Sequence, residues 1–222
     1  MKRHTSLEPV FENRYDAGRK LAEKMGDLAG KNAVVLGIPN GGVAVAMGVA
    51  LAIGADFDLV ISRKIPLPLS PEGGFGSITD DGTIILDEAM VKHAGLTRQQ
   101  IDFQVNQVRA NVKQRSLLYH KDRRPLSLTN RMVVIVDDGL ASGYTMSEAI
   151  RFVKRKFAKK IIAAIPTASE SAIELLLPFI DELYCLNIRG YPFAVADAYK
   201  EWHDLSDEEV ISYLNKAWGG KN

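Results

Sequence analysis

The chain runs to 222 residues, enough for one domain with a full core, and its 46% hydrophobic and 25% charged residues are those of an ordinary soluble globular protein. A net charge of +1 excludes a wholesale electrostatic attraction to nucleic acid or to an anionic membrane surface. One cysteine, Cys185, excludes an intrachain disulfide, and the four histidines have no cysteine partners at zinc spacing. Residues 1–6 lead into charged residues, so no signal peptide is read. The most apolar stretch, residues 43–55, is too short to span a bilayer and reads as a buried helix. The expectation is a cytoplasmic protein with neither nucleic-acid nor membrane partners.

In chain order, Phe11, Tyr15, Leu21, Met25 and Leu28 give a helical stripe that ends at Gly30. Residues 33–38 (AVVLGI), 57–62 (FDLVIS) and 132–137 (MVVIVD) are short, β-branched and almost continuously apolar, the pattern of strands buried on both faces. Residues 160–165 and 183–187 add two more strands. Helices are expected over 43–53, along the stripe Met146, Ile150, Val153 and Phe157, and over 171–180, where Pro178 lies near the end. Strands alternating with helices predict an α/β fold with a central, mainly parallel sheet covered on both sides. Ligands of such sheets sit beyond the carboxyl ends of the strands, here after Ile38, Ser62 and Asp137.

The stretch 64–130 interrupts this rhythm. Pro66, Pro68, Pro71, Gly73, Gly74 and Gly76 read as a mobile loop. Asp81-Gly82, between residues 75–79 and 83–87, signals a hairpin. Thr97 with Gln100 forms a capping box ahead of Ile101, Val105, Val108 and Val112 at helical spacing, and Ser206 with Glu209 repeats that logic near the C-terminus. The domain reading is a single unit, 1–222, with a flexible loop and helical insertion at about 64–130 and a small hood built from the N-terminal segment and about 188–222.

The strongest chemical signal is the turn after the third strand. Val133 to Val136 deliver two adjacent acids, Asp137 and Asp138, to the strand end. A small-residue loop, Gly139, Leu140, Ala141, Ser142 and Gly143, then enters a helix near Tyr144 and Thr145. Such a loop turns backbone N–H groups toward one point, where the helix N-terminus adds partial positive charge and the hydroxyls of Ser142 and Thr145 add donors. A phosphate is the natural occupant. Two carboxylates beside a phosphate cradle suit a ligand that also offers hydroxyls or a cation, as a sugar phosphate with magnesium does.

Residues 133–145 resemble the 5-phosphoribosyl-1-pyrophosphate (PRPP) signature of the type I phosphoribosyltransferases, in which apolar residues precede two acids and a Ser/Thr-Gly-x-Thr ending. The resemblance implies that Asp137 and Asp138 hold the ribose hydroxyls and that the loop through Thr145 holds the 5-phosphate. It also implies that Pro39, Asn40, Gly41 and Gly42, after the first strand, occupy the place of the pyrophosphate loop. Asn40 stands where that family commonly has Lys or Arg. Arg63 and Lys64 fall close to where adenine-type relatives carry basic residues for the pyrophosphate, and the Pro/Gly-rich run after them matches the family's closing loop. Residues 193–199 resemble the hood of hypoxanthine-guanine enzymes, which makes Phe193 the aromatic expected to stack on the base.

Ala141 occupies the position of the acid that deprotonates the purine in those enzymes, and alanine cannot transfer a proton. Glu72, in the expected lid, is the nearest carboxylate by sequence for that work. The family likeness further implies Mg²⁺, a small-molecule acceptor and a homodimer, and transfer of 5-phosphoribosyl from PRPP to a nitrogen nucleophile. Two other readings stay open: a non-enzymatic PRPP- or nucleotide-binding regulator, and a ribose-phosphate-processing enzyme on the same fold.

Overall fold

A computed structural model describes residues 8–68, 70–121, 123–190 and 194–219, with the backbone alone of Pro71 and Glu72. In chain order its elements are α1 (Arg14–Ala22), β1 (Ala33–Gly37), α2 (Gly42–Ile53), β2 (Asp56–Leu59), β3 (Ser62–Leu67), β4 (Ser70–Thr79) and β5 (Ile84–Leu86). They continue with α3 (Glu88–His93), α4 (Arg98–His120), β6 (Met132–Val136), α5 (Tyr144–Arg155), β7 (Lys160–Ser169), α6 (Glu170–Leu176), β8 (Glu182–Arg189) and α7 (Asp207–Gly219). The chain divides into two units: Met1–Leu59 with Pro125–Asn222, and Val60–Arg124.

The first unit is built on a five-stranded sheet in the order β2-β1-β6-β7-β8, parallel throughout. Every residue of β1 is buried, as are residues 133–136 of β6 and 161–168 of β7. This is why these runs read as unbroken apolar stretches: a strand covered on both faces has no polar side to alternate with. The fold is the α/β parallel sheet that the sequence predicts. From β1 the chain steps to one side to form β2, then returns to the other side to form β6. The strand order therefore reverses between β1 and β6, the place where a crevice opens at the carboxyl ends.

Helix α2 is buried along nearly its whole length and ends at Gly54, whose φ of 66° supplies the left-handed C-cap. It packs against α1 through two glycines. A Cβ on Gly18 would meet the Val45 carbonyl oxygen at 2.3 Å and the Gly48 Cα at 3.2 Å, so the two helices touch backbone to backbone. That contact sets where α1, and with it Arg14, stands over the sheet. Gly18→Val must push the helices apart. We expect a loss of about 1–3 kcal/mol, the usual cost of overpacking, read as a thermal midpoint lowered by roughly 2–12 °C. An unchanged melting curve would show that the crossing can relax freely.

The second unit holds the antiparallel sheet β3-β4-β5 with α3 and α4. Here the sequence reading needs correction. The apolar run 57–62 is not one strand: β2 stops at Leu59, and Ser62 opens β3, which pairs with β4 (Ser62↔Thr79). An unbroken apolar run carries no mark of where one sheet ends and the next begins. Nor is the Pro/Gly-rich run a loose loop. Pro66 lies opposite Gly74 and Ile65 opposite Gly76, with register shifts around Pro66. A Cβ on Gly76 would sit 2.3 Å from the Ile85 carbonyl oxygen. Proline and glycine are bulge and close-approach residues of a strand pair here. The Asp81-Gly82 turn forms as expected, with Gly82 at φ 81° and Ile78 paired with Ile84. Both capping boxes form, Thr97 with Gln100 and Ser206 with Glu209. No helix among the described residues is long and apolar enough to cross a membrane.

Candidate active site

The loops that leave β1 and β6 meet at the reversal point. Gly37 and Val136 are partners in the sheet, so residues 39–42 and 137–143 emerge side by side. They approach so closely that only glycine fits. A Cβ on Gly41 would fall 1.8 Å from Asp138 Oδ2, and one on Gly42 would fall 2.9 Å from the Asp137 Cα. The two glycines are thus more than a helix entry: they let the acids lie against the mouth of α2. The Pro39–Asn40 peptide is cis.

The acids have different surroundings. The Asp138 amide donates to Asp137 Oδ1 at 2.9 Å, which turns the Asp137 carboxylate back over its own loop. Desolvation, then the neighbouring Asp138 charge, pushes the Asp137 carboxyl well above the usual carboxylate range, and Arg14 offsets only part of this. Asp138 Oδ2 accepts from Arg14 Nε at 2.8 Å, and both side chains are largely buried. The Arg14 guanidinium also donates to the His203 carbonyl (2.8 Å) and stacks 3.8 Å from the centroid of Trp202. Tyr199 donates its hydroxyl to the Asp138 carbonyl. Burial, with the Asp138 charge, raises the Tyr199 phenol well above its ordinary value, which keeps it a donor.

A folded-state pKa raised above 3.8 means that native Asp137 retains a proton that the unfolded chain gives up. Stability should therefore decline as pH climbs from the ordinary carboxylate value through the raised one. Asp137→Asn should remove that decline. Denaturant midpoints of wild type and variant at about pH 5 and about pH 8 measure it, and parallel pH profiles would contradict the assignment.

The remaining loop residues divide by role. Leu140 is buried and stitched to β7: its amide donates to Thr167 O and its carbonyl accepts from the Ser169 amide. It anchors the loop to β7, with its side chain turned into the core. Gly139 has no room for a side chain, since a Cβ there would meet Val195 Cγ1 at 2.4 Å. Gly143, at φ 77°, opens α5 with no side-chain cap, so the first amides of that helix have no side chain to satisfy them. Ala141, Ser142, Tyr144 and Thr145 surround that opening, and all four are exposed, while Gly143 between them is buried. Free amides at a helix entry, ringed by small and hydroxyl side chains, have the chemistry that attracts an anion.

Asn40 does not take a basic residue's part. Its amide donates to the Leu205 carbonyl at 2.8 Å and lies 3.3 Å from Asp207 Oδ1, tying this loop to the entry of α7. Arg63 and Lys64 lie on β3, inside an antiparallel ladder of the second unit and not at the end of a parallel strand, because the chain runs on extended through Pro66. The Glu72 backbone is in β4 of that unit, and its side chain, like Phe193, lies outside the described residues.

Arg14 is the residue that the sequence reading missed. It stands at the first position of α1, directly after the N-cap Asn13, where helix polarity favours acids. A cation at that position signals a partner elsewhere in the chain.

The phosphoribosyl transferase domain matches residues 10–175, three-quarters of this chain and all of the loops just described. The chain belongs to the phosphoribosyl transferase family. Among proteins similar to this phosphoribosyl transferase family member is a Mycobacterium tuberculosis protein named "Putative phosphoribosyl transferase". It is 35% identical over 208 residues, 94% of this chain and 47% of its own length. The chain thus spans about half the length of that relative. The crystal structure of TT1426 from Thermus thermophilus superposes with a TM-score of 0.82 at 30% identity, covering 93% of this chain and 98% of that one. The fold of that structure is accordingly the fold of this chain.

Proposed function

We propose that the protein transfers the 5-phosphoribosyl group of PRPP to a nitrogen nucleophile and releases pyrophosphate. The observation that carries this reading is the meeting of the Gly41-Gly42 turn with Asp137 and Asp138 beside the uncapped entry of α5. Carboxylates accept hydrogen bonds and repel phosphate, whereas free amides attract it. One ligand that satisfies both must carry hydroxyls and a phosphate, as a phosphorylated ribose does. In this reading Asp137 and Asp138 accept from the ribose hydroxyls, and the amides at Ala141 to Thr145 hold the 5-phosphate. The leaving pyrophosphate lies toward residues 39–42. The C1–O bond to pyrophosphate breaks with its electron pair going to the leaving group, a C1–N bond forms, and the acceptor's N–H proton passes to a base or to solvent. Positive charge grows on the ribose ring as the bond stretches, next to two acids held in place before the reaction begins.

Among the described residues no group of three or more acidic, histidine or cysteine side chains could hold a metal alone. The two acids, one already paired with Arg14, fit a Mg²⁺ that arrives on substrate phosphates and takes at most one or two carboxylates. Bound there, Mg²⁺ would neutralise charge on the leaving pyrophosphate. Because Asn40 is occupied with the α7 entry, it supplies no such charge. The same reading takes the protein to be a homodimer in the cytoplasm, as the family likeness implies. Titration calorimetry with Mg·PRPP, followed by pyrophosphate detection over a panel of nitrogen acceptors, tests the transfer. Wild-type protein that ignores PRPP at millimolar concentration would overturn it.

A further inference from the structure

α4, the long helix of the second unit, has 23 residues over about 34 Å, and one side of it packs on β3 and β4. Val105, Val112 and Tyr119, seven residues apart, are buried on that side. A second stripe of the same period runs along the opposite side: Phe103, Ala110 and Leu117. Phe103 and Leu117 are each 61% exposed, and Ala110 between them is exposed too. Gln107 and Gln114, also exposed, complete a repeat in which apolar and amide side chains alternate every three or four residues.

The outward side of a surface helix ordinarily carries its charges. Here Phe103, Gln107, Ala110, Gln114, Leu117 and Leu118 lie within about 50° of one midline, and none is charged. Arg98, Asp102, Arg109, Lys113 and Arg115, the acid and the basic residues of α4, all fall outside that strip. The strip is also symmetric. Phe103 and Leu117 stand seven residues either side of Ala110, and Gln107 and Gln114 stand three and four. A strip that reads nearly the same from either end is complementary to an antiparallel copy of itself, which is what a two-fold interface requires.

We infer that α4 pairs antiparallel with α4 of a second copy of this chain, about a two-fold axis through Ala110. Phe103 of each copy then covers Leu117 of the other, and the small Ala110 side chains let the helices approach at the crossing. Gln107 of one copy comes level with Gln114 of the other, where their amides can exchange hydrogen bonds. Charge agrees with this occupant: Lys113, at one edge, comes level with Asn106 and not with a second cation, and a nucleic acid would demand cations that the strip lacks. Area sets the strength. A strip about 34 Å long and about 10 Å wide buries on the order of 700 Å² over both copies, less than the roughly 1,200 Å² of a stable pair. The pairing is therefore reversible, with a dissociation constant of about 10–100 μM. It gives the homodimer a surface and does not depend on the transfer reading.

Sedimentation equilibrium of the full chain from about 1 to about 500 μM brackets that constant. The mass should rise from one chain toward two. Phe103→Glu and Leu117→Glu should each weaken the association by about tenfold or more, and both side chains are exposed, so circular dichroism should show an unchanged fold. Mixing Phe103→Glu with Leu117→Lys should restore association, because the antiparallel seam sets the introduced acid against the introduced base. With Cys185→Ala as background, Ala110→Cys should cross-link copy to copy under a mild oxidant, whereas Arg109→Cys, on another side of the helix, should not. A mass of one chain at every concentration leaves the strip to a helix of some other protein and overturns the inference. A mass of two chains that neither acidic substitution changes places the dimer on another face and overturns it equally. Neither result touches Mg·PRPP binding, which tests the transfer reading separately.

Discussion

At a pH high enough to ionise Asp137, whose carboxyl burial pushes well above the usual range, Asp137→Asn should give a folded protein whose affinity for Mg·PRPP falls by roughly one to two decades, the loss of one charge-assisted bond of about 1.5–3 kcal/mol. Asp138→Asn should lose a comparable amount of affinity and also melt earlier. The difference lies in Arg14. The Asp137 carboxylate accepts from the Asp138 amide, whereas Asp138 neutralises a buried guanidinium at 2.8 Å. Leaving such a charge unpaired costs about 3–5 kcal/mol. Arg14 keeps its bond to His203 and its stacking on Trp202, so the lower figure applies. A drop of about 3 kcal/mol lowers the midpoint by roughly 6–12 °C in a chain of this size. Calorimetry with Mg·PRPP beside thermal melts of each variant separates the two roles. Variants that bind as wild type does would remove both acids from the site, and equal melting points would remove the structural role of Asp138.

Gly41→Ala should weaken Mg·PRPP binding as much as Asp138→Asn does, although it deletes no functional group. The added methyl would sit 1.8 Å from Asp138 Oδ2, 2.5 Å from its Cγ and 3.1 Å from Arg14 Nε. The carboxylate must swing away, and the Arg14 pair breaks with it. Gly54→Ala is the matched control. A methyl there meets nothing within 4 Å, and only the left-handed φ of 66° resists it. That strain costs about 1–2 kcal/mol and should leave affinity alone. Affinity unchanged in Gly41→Ala would mean that the two loops part without consequence, and the close approach would lose its meaning.

Much of this arrangement was legible in the residues. Short apolar runs with β-branching identified β1 and β6, since strands buried on both faces have no polar side to show. Val136-Asp137-Asp138 followed by small residues located the loop, because an acid pair cannot end a buried strand without reaching solvent or a ligand. What stayed hidden depends on side chains that meet across the sheet. Arg14 stands beside a helical stripe without belonging to it, and nothing near it in sequence shows that it neutralises Asp138. Asn40 looked like a weak stand-in for a basic residue, yet its amide is spent on Leu205 and Asp207. The run from Pro66 to Gly76 has the composition of a loop because a bulged, closely paired strand uses the same residues.

The Arg14 cluster also bears on the order in which the molecule takes shape. Its bond to Asp138 joins residues 124 positions apart, and its bond to His203 spans 189. Contacts that close loops of this length form late, after local helices and neighbouring strands have reduced the entropy of closure. A ribosome that has released α1, α2 and β1 has not yet made the carboxylate that Arg14 needs, so the cation must stay hydrated until much later residues emerge. Partly folded chains, with sheet and helices already assembled, would lack a fixed Asp138 and hence a formed ligand mouth. A ligand that requires this mouth binds only finished molecules and, by mass action, draws the population toward completion.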